Sequence, residues 1–207
     1  MSILNQLACA LGRRDEIPNV ELAKKIVKAN DVSAIKELVQ NLNNKSKDIP
    51  ADCIKVLYEV GYHKPELIAK YYKDFLFLLN HKNNRMLWGA LTALSAIVKN
   101  NPKVIFDNLS AILECADKSS VIAKDHAAKI LTTLSEDKKY QNVTLPILID
   151  FINVSPENQF PTYAENAMHV LDKQYKVVMK QVLETRLPKM KTPTKIKRVE
   201  KMLKKLS

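Results

Sequence analysis

The chain has 207 residues, of which 46% are hydrophobic and 27% are charged, and its formal net charge is +11 at pH 7. A chain of this length and composition can bury a substantial core, and no stretch approaches the roughly 18 apolar residues of a membrane span. Its three glycines leave few positions for the positive-φ turns of hairpins or for phosphate-cradling loops. The composition therefore argues against a membrane-spanning or hairpin-rich protein and favours a soluble all-α protein.

No sequence pattern for catalysis, a cofactor or a metal is present. The cysteines form no Cys-x-x-Cys pair, and no His-x-x-x-His, P-loop, Gly-x-Ser-x-Gly or Gly-x-Gly-x-x-Gly motif occurs. The isolated cysteines and histidines are Cys9, Cys53, Cys115, His63, His81, His126 and His169. Dispersed cysteines in apolar patterns are typical of a reducing compartment, and the first residues lack the basic start and long apolar run of a signal peptide. We therefore expect no enzymatic activity, no cofactor and no metal site, and a cytoplasmic location.

Two short helices are predicted at the start of the chain. Ser2 can cap the first, and Gly12 is placed to end it. Asn19 is the predicted N-cap of the second, which ends before Asp31, the cap of the helix that follows. We interpret residues 1–30 as N-terminal capping helices.

After these two helices, apolar patterns recur with a period of roughly 37 to 40 residues. Helices are predicted to begin at Pro50, Pro65, Arg85 and Pro102, and proline suits the first helical turn because its missing N–H costs nothing there. Pro65 and Pro102 stand 37 residues apart, and the same offset superposes apolar residues on one another. The superposed pairs are Ile54 and Leu91, Leu57 and Leu94, Val60 and Ile97, Leu67 and Val104, Phe75 and Ile112, and Leu76 and Leu113. Such a repeat predicts stacked helix pairs.

The repeat continues towards the C-terminus with less regular spacing. Further helices are predicted over residues 123–134, 143–152, 164–171, 176–187 and 192–206. Pro146 is expected in the first turn of its helix, where proline is tolerated. The whole pattern predicts helices that pack in pairs along the chain.

The segment 123–134, Ala-Lys-Asp-His-Ala-Ala-Lys-Ile-Leu-Thr-Thr-Leu, resembles the second helix of a HEAT repeat, with its small apolar residue, basic residue, paired alanines and spaced leucines. The residues that resemble the first helix of such a repeat are Leu109, Ile112 and Leu113. The resemblance to HEAT-repeat (armadillo-like) α-solenoid proteins covers about residues 31–176. It departs from the pattern at Leu87, where a basic residue is expected.

The resemblance implies a right-handed α-α superhelix of about five HEAT-like helix pairs. Residues 1–207 are then expected to form a single domain, in which 31–185 are the repeats and 186–207 are a basic C-terminal capping helix. Stacking stabilises such arrays because each helix pair buries only part of its apolar surface by itself. The resemblance implies no particular activity, since these repeats serve many unrelated roles.

Arg85 and Trp88 form a candidate binding pair, because Trp88 is the only tryptophan and follows Arg85 by one helical turn. One interpretation buries Trp88 in the core or between repeats, as is usual for tryptophan. The other places both residues on the concave surface that second helices line in HEAT-like arrays, as an aromatic and cationic contact for a partner. In that interpretation Lys124, one repeat further on, lies nearby.

The C-terminus carries most of the positive charge, since residues 186–207 hold nine basic residues against Glu200 alone. An apolar stripe runs under these basic residues and consists of Ile196, Val199, Leu203 and Leu206. The candidate binding residues beside it are Lys195, Lys197, Arg198 and Lys201. One interpretation is a capping helix with a solvated basic face. Others are a contact for nucleic acid, an anionic membrane surface or an acidic partner.

The sequence therefore indicates a non-catalytic scaffold or adaptor, and the expected partner is a protein held on its concave or terminal surface. The alternative is a nucleic-acid binder that uses the basic C-terminus.

Some bacterial alkylpurine DNA glycosylases are built from HEAT-like repeats and are similar in size, helical class and charge. No aspartate can be placed beside Trp88 and Arg85 by spacing, so no catalytic residue is carried over. The sequence leaves the oligomeric state open.

Overall fold

The computed structural model describes residues 2–206, so the predicted domain limits at 1 and 207 lie outside the described residues. Within the described part every regular element is helical, with twelve α-helices and several short 3-10 turns. The α-helices are α1 Ile17–Ala29, α2 Val32–Gln40, α3 Ile49–His63, α4 Tyr72–Phe77, α5 Asn84–Ala96, α6 Pro102–Asp107, α7 Leu109–Asp117, α8 Val121–Ser135, α9 Lys138–Val154, α10 Phe160–Ala167, α11 Lys173–Arg186 and α12 Pro193–Leu206. None of these helices is both long and apolar enough to cross a membrane.

The chain divides into two compact units, one up to Ala127 and one from Ala128, and the boundary falls inside α8. In the first unit α3 packs between α1 and α5. Leu57, Leu94 and Leu131 stand 37 residues apart along the chain, and we call them the leucine ladder. All three are buried, Leu57 and Leu94 in the first unit and Leu131 in the second. Each fully buried leucine contributes roughly 1.5–3 kcal/mol, so the ladder is a main source of stability.

Two of the predicted caps near the N-terminus, Ser2 and Asp31, are confirmed, but the first predicted helix is only the 3-10 turn Ile3–Gln6, which ends before Gly12. The Ser2 hydroxyl accepts a hydrogen bond from the Leu4 N–H and caps a 3-10 turn. Gly12 adopts a φ of +67° after this turn, a conformation that glycine reaches without strain. The Asp31 carboxylate accepts from the Ala34 N–H at 2.9 Å and caps α2, as predicted.

The predicted N-cap at Asn19 is wrong. The helix begins earlier, at Ile17, because Pro18 occupies its first turn with a φ that suits helix formation. Asn19 is buried instead, and its side-chain oxygen accepts from the Ala8 N–H at 3.0 Å. The Asn19 side chain therefore serves the preceding turn rather than its own helix.

The segment after Pro65 is not the single helix that the sequence predicts. Around the short α4 it forms the 3-10 turns Pro65–Leu67, Ala69–Tyr71 and Leu78–Asn80. The Ile68 N–H bonds to the Pro65 carbonyl three residues back at 3.0 Å, which tightens the turn. Ile68 and Phe75 are both fully buried in this arrangement.

The helix that begins at Pro102 also ends early, at Asp107, and α7 follows it. The side-chain amide of Asn108 donates to the Val104 carbonyl at 2.8 Å. Asparagine competes with the backbone in this way and interrupts helices, so the first helix of this repeat is split in two.

In the second unit α9 begins five residues earlier than predicted. The Asp137 carboxylate accepts from the Lys139 N–H at 2.9 Å and sets the start of the helix. Pro146 consequently lies in the helix interior rather than in its first turn. The earlier start buries Tyr140, which the predicted helix omitted.

The C-terminal helices of the second unit pack closely, with α12 against both α10 and α11. The helix α10 begins at Phe160, earlier than predicted, and Phe160 itself is fully buried. Val199 of the predicted apolar stripe is buried together with Met202. The lysine side of α12 faces solvent, because Lys197 and Lys201 are exposed.

Candidate functional site

A surface groove runs along α3, α5 and the start of α8 in the first unit. Its volume is about 380 Å³. We name it the Trp88 groove and define it by its lining residues Glu16, Ala51, Ile54, Lys55, Tyr58, Arg85, Trp88, Gly89, Thr92 and Ile122. The groove thus contains both members of the predicted Arg85 and Trp88 pair.

Trp88 stands at the wall of this groove and is half-buried. Its indole N–H donates to the Ser119 hydroxyl at 3.3 Å, which fixes the ring against the turn before α8. Trp88 also lines a second groove of about 560 Å³, whose polar lining includes Asn80 and Asn108. Trp88 is therefore a partly accessible side chain between two grooves, held in one orientation.

Four charged side chains form a continuous network at one end of the Trp88 groove. Arg85 pairs with one oxygen of Glu16 at 3.0 Å, and Lys55 pairs with the other at 3.0 Å. Lys55 also pairs with Glu59, one helical turn away, at 2.8 Å. Two positive and two negative groups are present, so the network carries no net charge.

Lys55 is fixed from several directions, and its ammonium lies 4.8 Å from the centre of the Tyr58 ring. Burial lowers the pKa of Lys55, but hydrogen bonds to Glu59, Tyr58 and Glu16 outweigh burial and hold that pKa above its ordinary value. Burial raises the pKa of the Tyr58 hydroxyl, because it disfavours the charged phenolate, and Lys55 opposes this shift. Lys55 therefore remains charged, and the phenol of Tyr58 remains neutral, at physiological pH.

His126 of α8 contacts two residues of α5, one of which lines the groove. The Thr92 hydroxyl lies 2.8 Å from His126 Nε2, and the Ser95 hydroxyl lies 3.0 Å from His126 Nδ1. Thr92 and Ser95 are both buried. Contacts on both ring nitrogens orient the imidazole and fix the helix against which a ligand would rest.

Lys124 does not join Arg85 and Trp88 in the groove lining. Its ammonium is 3.3 Å from the carboxylate of Asp117, just before α8. The groove lining thus includes Arg85 and Trp88 but not Lys124, and the predicted role of Lys124 in binding stays a prediction.

The four C-terminal candidates divide into anchored and exposed side chains. Arg198 binds Glu165 through two hydrogen bonds of 3.0 and 2.6 Å, and Lys195 binds Asn158. Lys197 and Lys201 are exposed, and neither has an ion pair within residues 2–206. Arg198 and Lys195 thus hold α12 in place, whereas Lys197 and Lys201 point towards solvent.

Sequence reasoning missed several residues of the Trp88 groove, among them Glu16, Lys55, Tyr58 and Ile122. Glu16 is 69 residues from Arg85, and no local pattern connects them. Lys55 and Glu59 form an i,i+4 pair that was visible in the sequence. That pair was the available signal for a charged edge on α3.

The thiols are not activated. Burial, together with Asp52, raises the pKa of Cys9 to about 11, and burial raises the pKa of Cys53 to about 12. Both are therefore protonated near neutral pH, and the thiol is a poor nucleophile. Among residues 2–206 no group of three or more His, Cys, Asp or Glu side chains is placed to hold a metal ion.

The paired helices and buried leucine ladder are typical of the armadillo/HEAT-like repeat fold, and comparison with solved structures confirms this fold. A designed armadillo repeat protein aligns with a TM-score of 0.65 over 90% of this chain and 87% of its own, at 14% identity. Another, in complex with the peptide (KR)4, aligns with a TM-score of 0.66 over 90% of this chain and 86% of its own, at 16% identity. An engineered protein aligns with a TM-score of 0.60 over 100% of this chain and 97% of its own, at 16% identity. No family model and no curated protein sequence matches the chain.

Proposed function

We propose that the chain is a non-catalytic scaffold that binds a protein partner by holding a peptide segment of it in the Trp88 groove. The observation that carries this proposal is the half-buried Trp88, oriented by Ser119 and set beside Tyr58 and Arg85 in one groove. Tryptophan, tyrosine and arginine are the residues that most often dominate binding energy in protein interfaces. Because these side chains are already ordered, a ligand would lose little of its binding energy in arranging them.

The charges of the groove indicate which peptide it would hold. A structurally similar designed armadillo repeat protein binds the peptide (KR)4, which supports peptide binding as a use of this fold. In this chain Glu16 and Glu59 are already paired with Lys55 and Arg85. A lysine- and arginine-rich peptide would have to displace these partners, so we expect the preferred ligand to carry an apolar or aromatic anchor.

Nucleic-acid binding, the alternative that the sequence leaves open, would use a different surface on α12. The Trp88 groove itself gives little support to base-releasing chemistry. Its lining contains one carboxylate, Glu16, which is held between Arg85 and Lys55. A general base must reach the reacting water, and a carboxylate bound on both oxygens is poorly placed for that role.

The test is selection of binding peptides from a random displayed library on the full chain, followed by titration with the purified peptides. Trp88 is the only tryptophan, so its fluorescence reports occupancy of the groove directly. We expect the selected peptides to share an apolar or aromatic anchor and to shift the Trp88 emission. The peptide (KR)4 is expected to bind at least 10-fold more weakly.

Variants identify the site through the anisotropy of a labelled peptide. We expect Trp88→Ala to weaken binding roughly 30-fold, the effect of losing about 2 kcal/mol at an interface hot spot. Phe77→Ala is the matched control, because Phe77 is an exposed aromatic residue outside the groove. Equal affinities of the wild type and a folded Trp88→Ala variant would refute the proposed site.

A further inference from the structure

Almost all of the net charge lies in the last two helices. Residues 173–206 contain twelve lysines and arginines against two glutamates, and so carry ten of the eleven net positive charges of the chain. This segment forms α11 and α12, which pack against each other. The second unit therefore ends in a strongly basic pair of helices.

One face of α12 concentrates this charge on exposed side chains. We name it the lysine face and define it by Lys197, Lys201, Lys204 and Lys205, all of which are exposed. Positions i, i+4 and i+7 fall on one side of a helix. None of the four lysines has an ion pair within residues 2–206. The nearby carboxylate of Glu165 is occupied by Arg198.

The structure argues against a membrane as the partner of this face. Amphipathic helices bind membranes by inserting apolar side chains below the head groups. The apolar side of α12 packs on the second unit instead, with Val199 fully buried, Met202 nearly so, and Ile196, Leu203 and Leu206 partly buried. The lysine face could touch a membrane only through charge.

A protein interface or a single-stranded nucleic acid fits less well than a duplex. Lysine is depleted in protein interfaces, whose energy comes from aromatic and arginine anchors. Tyr175 is the only aromatic residue between 173 and 206, so the segment offers no row of rings for base stacking, which single-strand binders use. Arg198, the one arginine of α12, is engaged by Glu165.

A duplex presents enough phosphates for several contacts with the lysine face. At a rise of about 1.5 Å per residue, Lys197 and Lys204 lie about 10 Å apart along α12. A duplex presents one negative charge per roughly 1.7 Å of its axis, or about six charges over that length. The four ammonium groups therefore do not outnumber the phosphates that a duplex presents over this length.

We propose that the lysine face of α12 binds the phosphate backbone of double-stranded nucleic acid without sequence preference. This surface is separate from the Trp88 groove, and the proposal does not depend on peptide binding. With four phosphate contacts, raising the salt concentration from 50 to 200 mM would lower the association constant roughly 150-fold. A steep dependence of the affinity on salt is therefore the expected signature of this binding.

The test is titration of a fluorescent DNA duplex with the full chain at several salt concentrations. A K197Q/K201Q/K204Q/K205Q variant removes the lysine face, and glutamine keeps a similar helix propensity. We expect this variant to weaken binding at least 10-fold at 50 mM salt and to flatten the slope of log affinity against log salt by about 3.6. Circular dichroism confirms that the variant is folded.

The matched control is K24Q/K25Q/K28Q/K36Q, which removes the same charge from exposed lysines of α1 and α2. We expect the control variant to keep a steeper slope of log affinity against log salt than the lysine-face variant. The difference should be at least half of that between the wild type and the lysine-face variant. The proposal fails if both variants weaken binding equally, because net charge alone would then explain it. It also fails if polyglutamate or phosphatidylserine vesicles, at equal charge concentration, compete for the chain as well as unlabelled duplex does.

Discussion

At the scale of single residues, Gly89 sets how closely α5 approaches α3. A Cβ at this position would lie 2.6 Å from Cγ1 and 3.0 Å from Cγ2 of Ile54. Both atoms sit next to the Cβ of a stiff β-branched side chain, which cannot swing aside. We expect Gly89→Ala to gain about 1 kcal/mol of helix propensity and to lose about 1–3 kcal/mol through overpacking. The net result is a lower urea midpoint than that of the wild type.

Gly61→Ala provides the comparison, because its added Cβ would also lie 2.6 Å from a side-chain atom. That atom is Cδ1, the far end of Ile68, which can rotate away more easily than the branch of Ile54, and the only other tight contact is the Ala96 Cβ at 3.1 Å. The Gly61 variant should therefore lose less stability than the Gly89 variant. A Gly89→Ala variant that is as stable as the wild type would show that α3 and α5 can separate without cost.

The candidate site shows which residues a sequence can place and which it cannot. Arg85 and Trp88 were predicted to share a face because they are one helical turn apart, and both line the groove. Glu16 reaches the same groove from the start of the chain, and only the folded packing of α1 beside α3 brings it there. Lys124 has the expected repeat position, and its ammonium contacts Asp117, a partner that the repeat pattern does not predict. Local periodicity therefore predicts which residues share one face of a helix. The ion-pair partners of a charged residue depend instead on segments distant in the sequence.

At the scale of elements, two carboxylates fasten α12 to the rest of the second unit. Glu165, which lies in α10, accepts a hydrogen bond from Arg198 of α12. Glu157 accepts hydrogen bonds from the backbone N–H groups of Lys191 and Thr192, just before α12. Hydrogen bonds from Arg198 lower the pKa of Glu165 despite partial burial. Hydrogen bonds to Thr192 lower the pKa of Glu157 in the same way.

These lowered pKa values predict a loss of stability in acid. A carboxylate whose pKa is lower in the folded state stabilises that state above its unfolded pKa of about 4.3, and the stabilisation is lost as pH falls through the folded pKa. Glu165→Gln should therefore reduce the urea midpoint at pH 7, where an exposed pair is worth about 0.2–1 kcal/mol. The wild type and this variant should converge near pH 3. The measurement is urea unfolding followed by circular dichroism at both pH values.

Glu200→Gln is the charge-matched control for this prediction. Glu200 is exposed on α12 and forms no ion pair within residues 2–206. We expect it to leave the difference between pH 7 and pH 3 unchanged. If Glu165→Gln shows the same acid sensitivity as the wild type, the contact with Arg198 does not contribute to stability.

Helix pairing was predictable from the sequence, but several helix ends were not. The buried ladder of Leu57 and Leu94 follows from a repeated apolar pattern, which survives small errors in register. The helix ends depend on single side chains, such as Asn108 breaking a helix and Asp137 starting one five residues early. Proline did not resolve these choices, because Pro146 is tolerated inside α9. A proline can open a helix or lie within it, and the difference depends on tertiary packing.

At the scale of the whole molecule, the two proposed surfaces differ in chemistry and therefore in their response to salt. The Trp88 groove is charge-balanced and aromatic, whereas the lysine face carries four exposed lysines without ion pairs among the described residues. Salt screens charge interactions and leaves apolar contacts largely intact. Peptide and duplex can thus be titrated on one protein preparation as internal controls for each other.

We expect the selected peptide to lose less than about threefold in affinity between 50 and 200 mM salt, while the duplex loses roughly 150-fold. The Trp88→Ala variant should lose peptide binding and keep duplex binding, and the lysine-face variant should do the reverse. Because each substitution removes one function, this crossed result separates the two proposals even if one of them fails. Steep salt dependence of peptide binding would mean that the network of Arg85, Glu16 and Lys55 opens to the ligand. In that case charge, and not the aromatic wall, would determine which peptide binds.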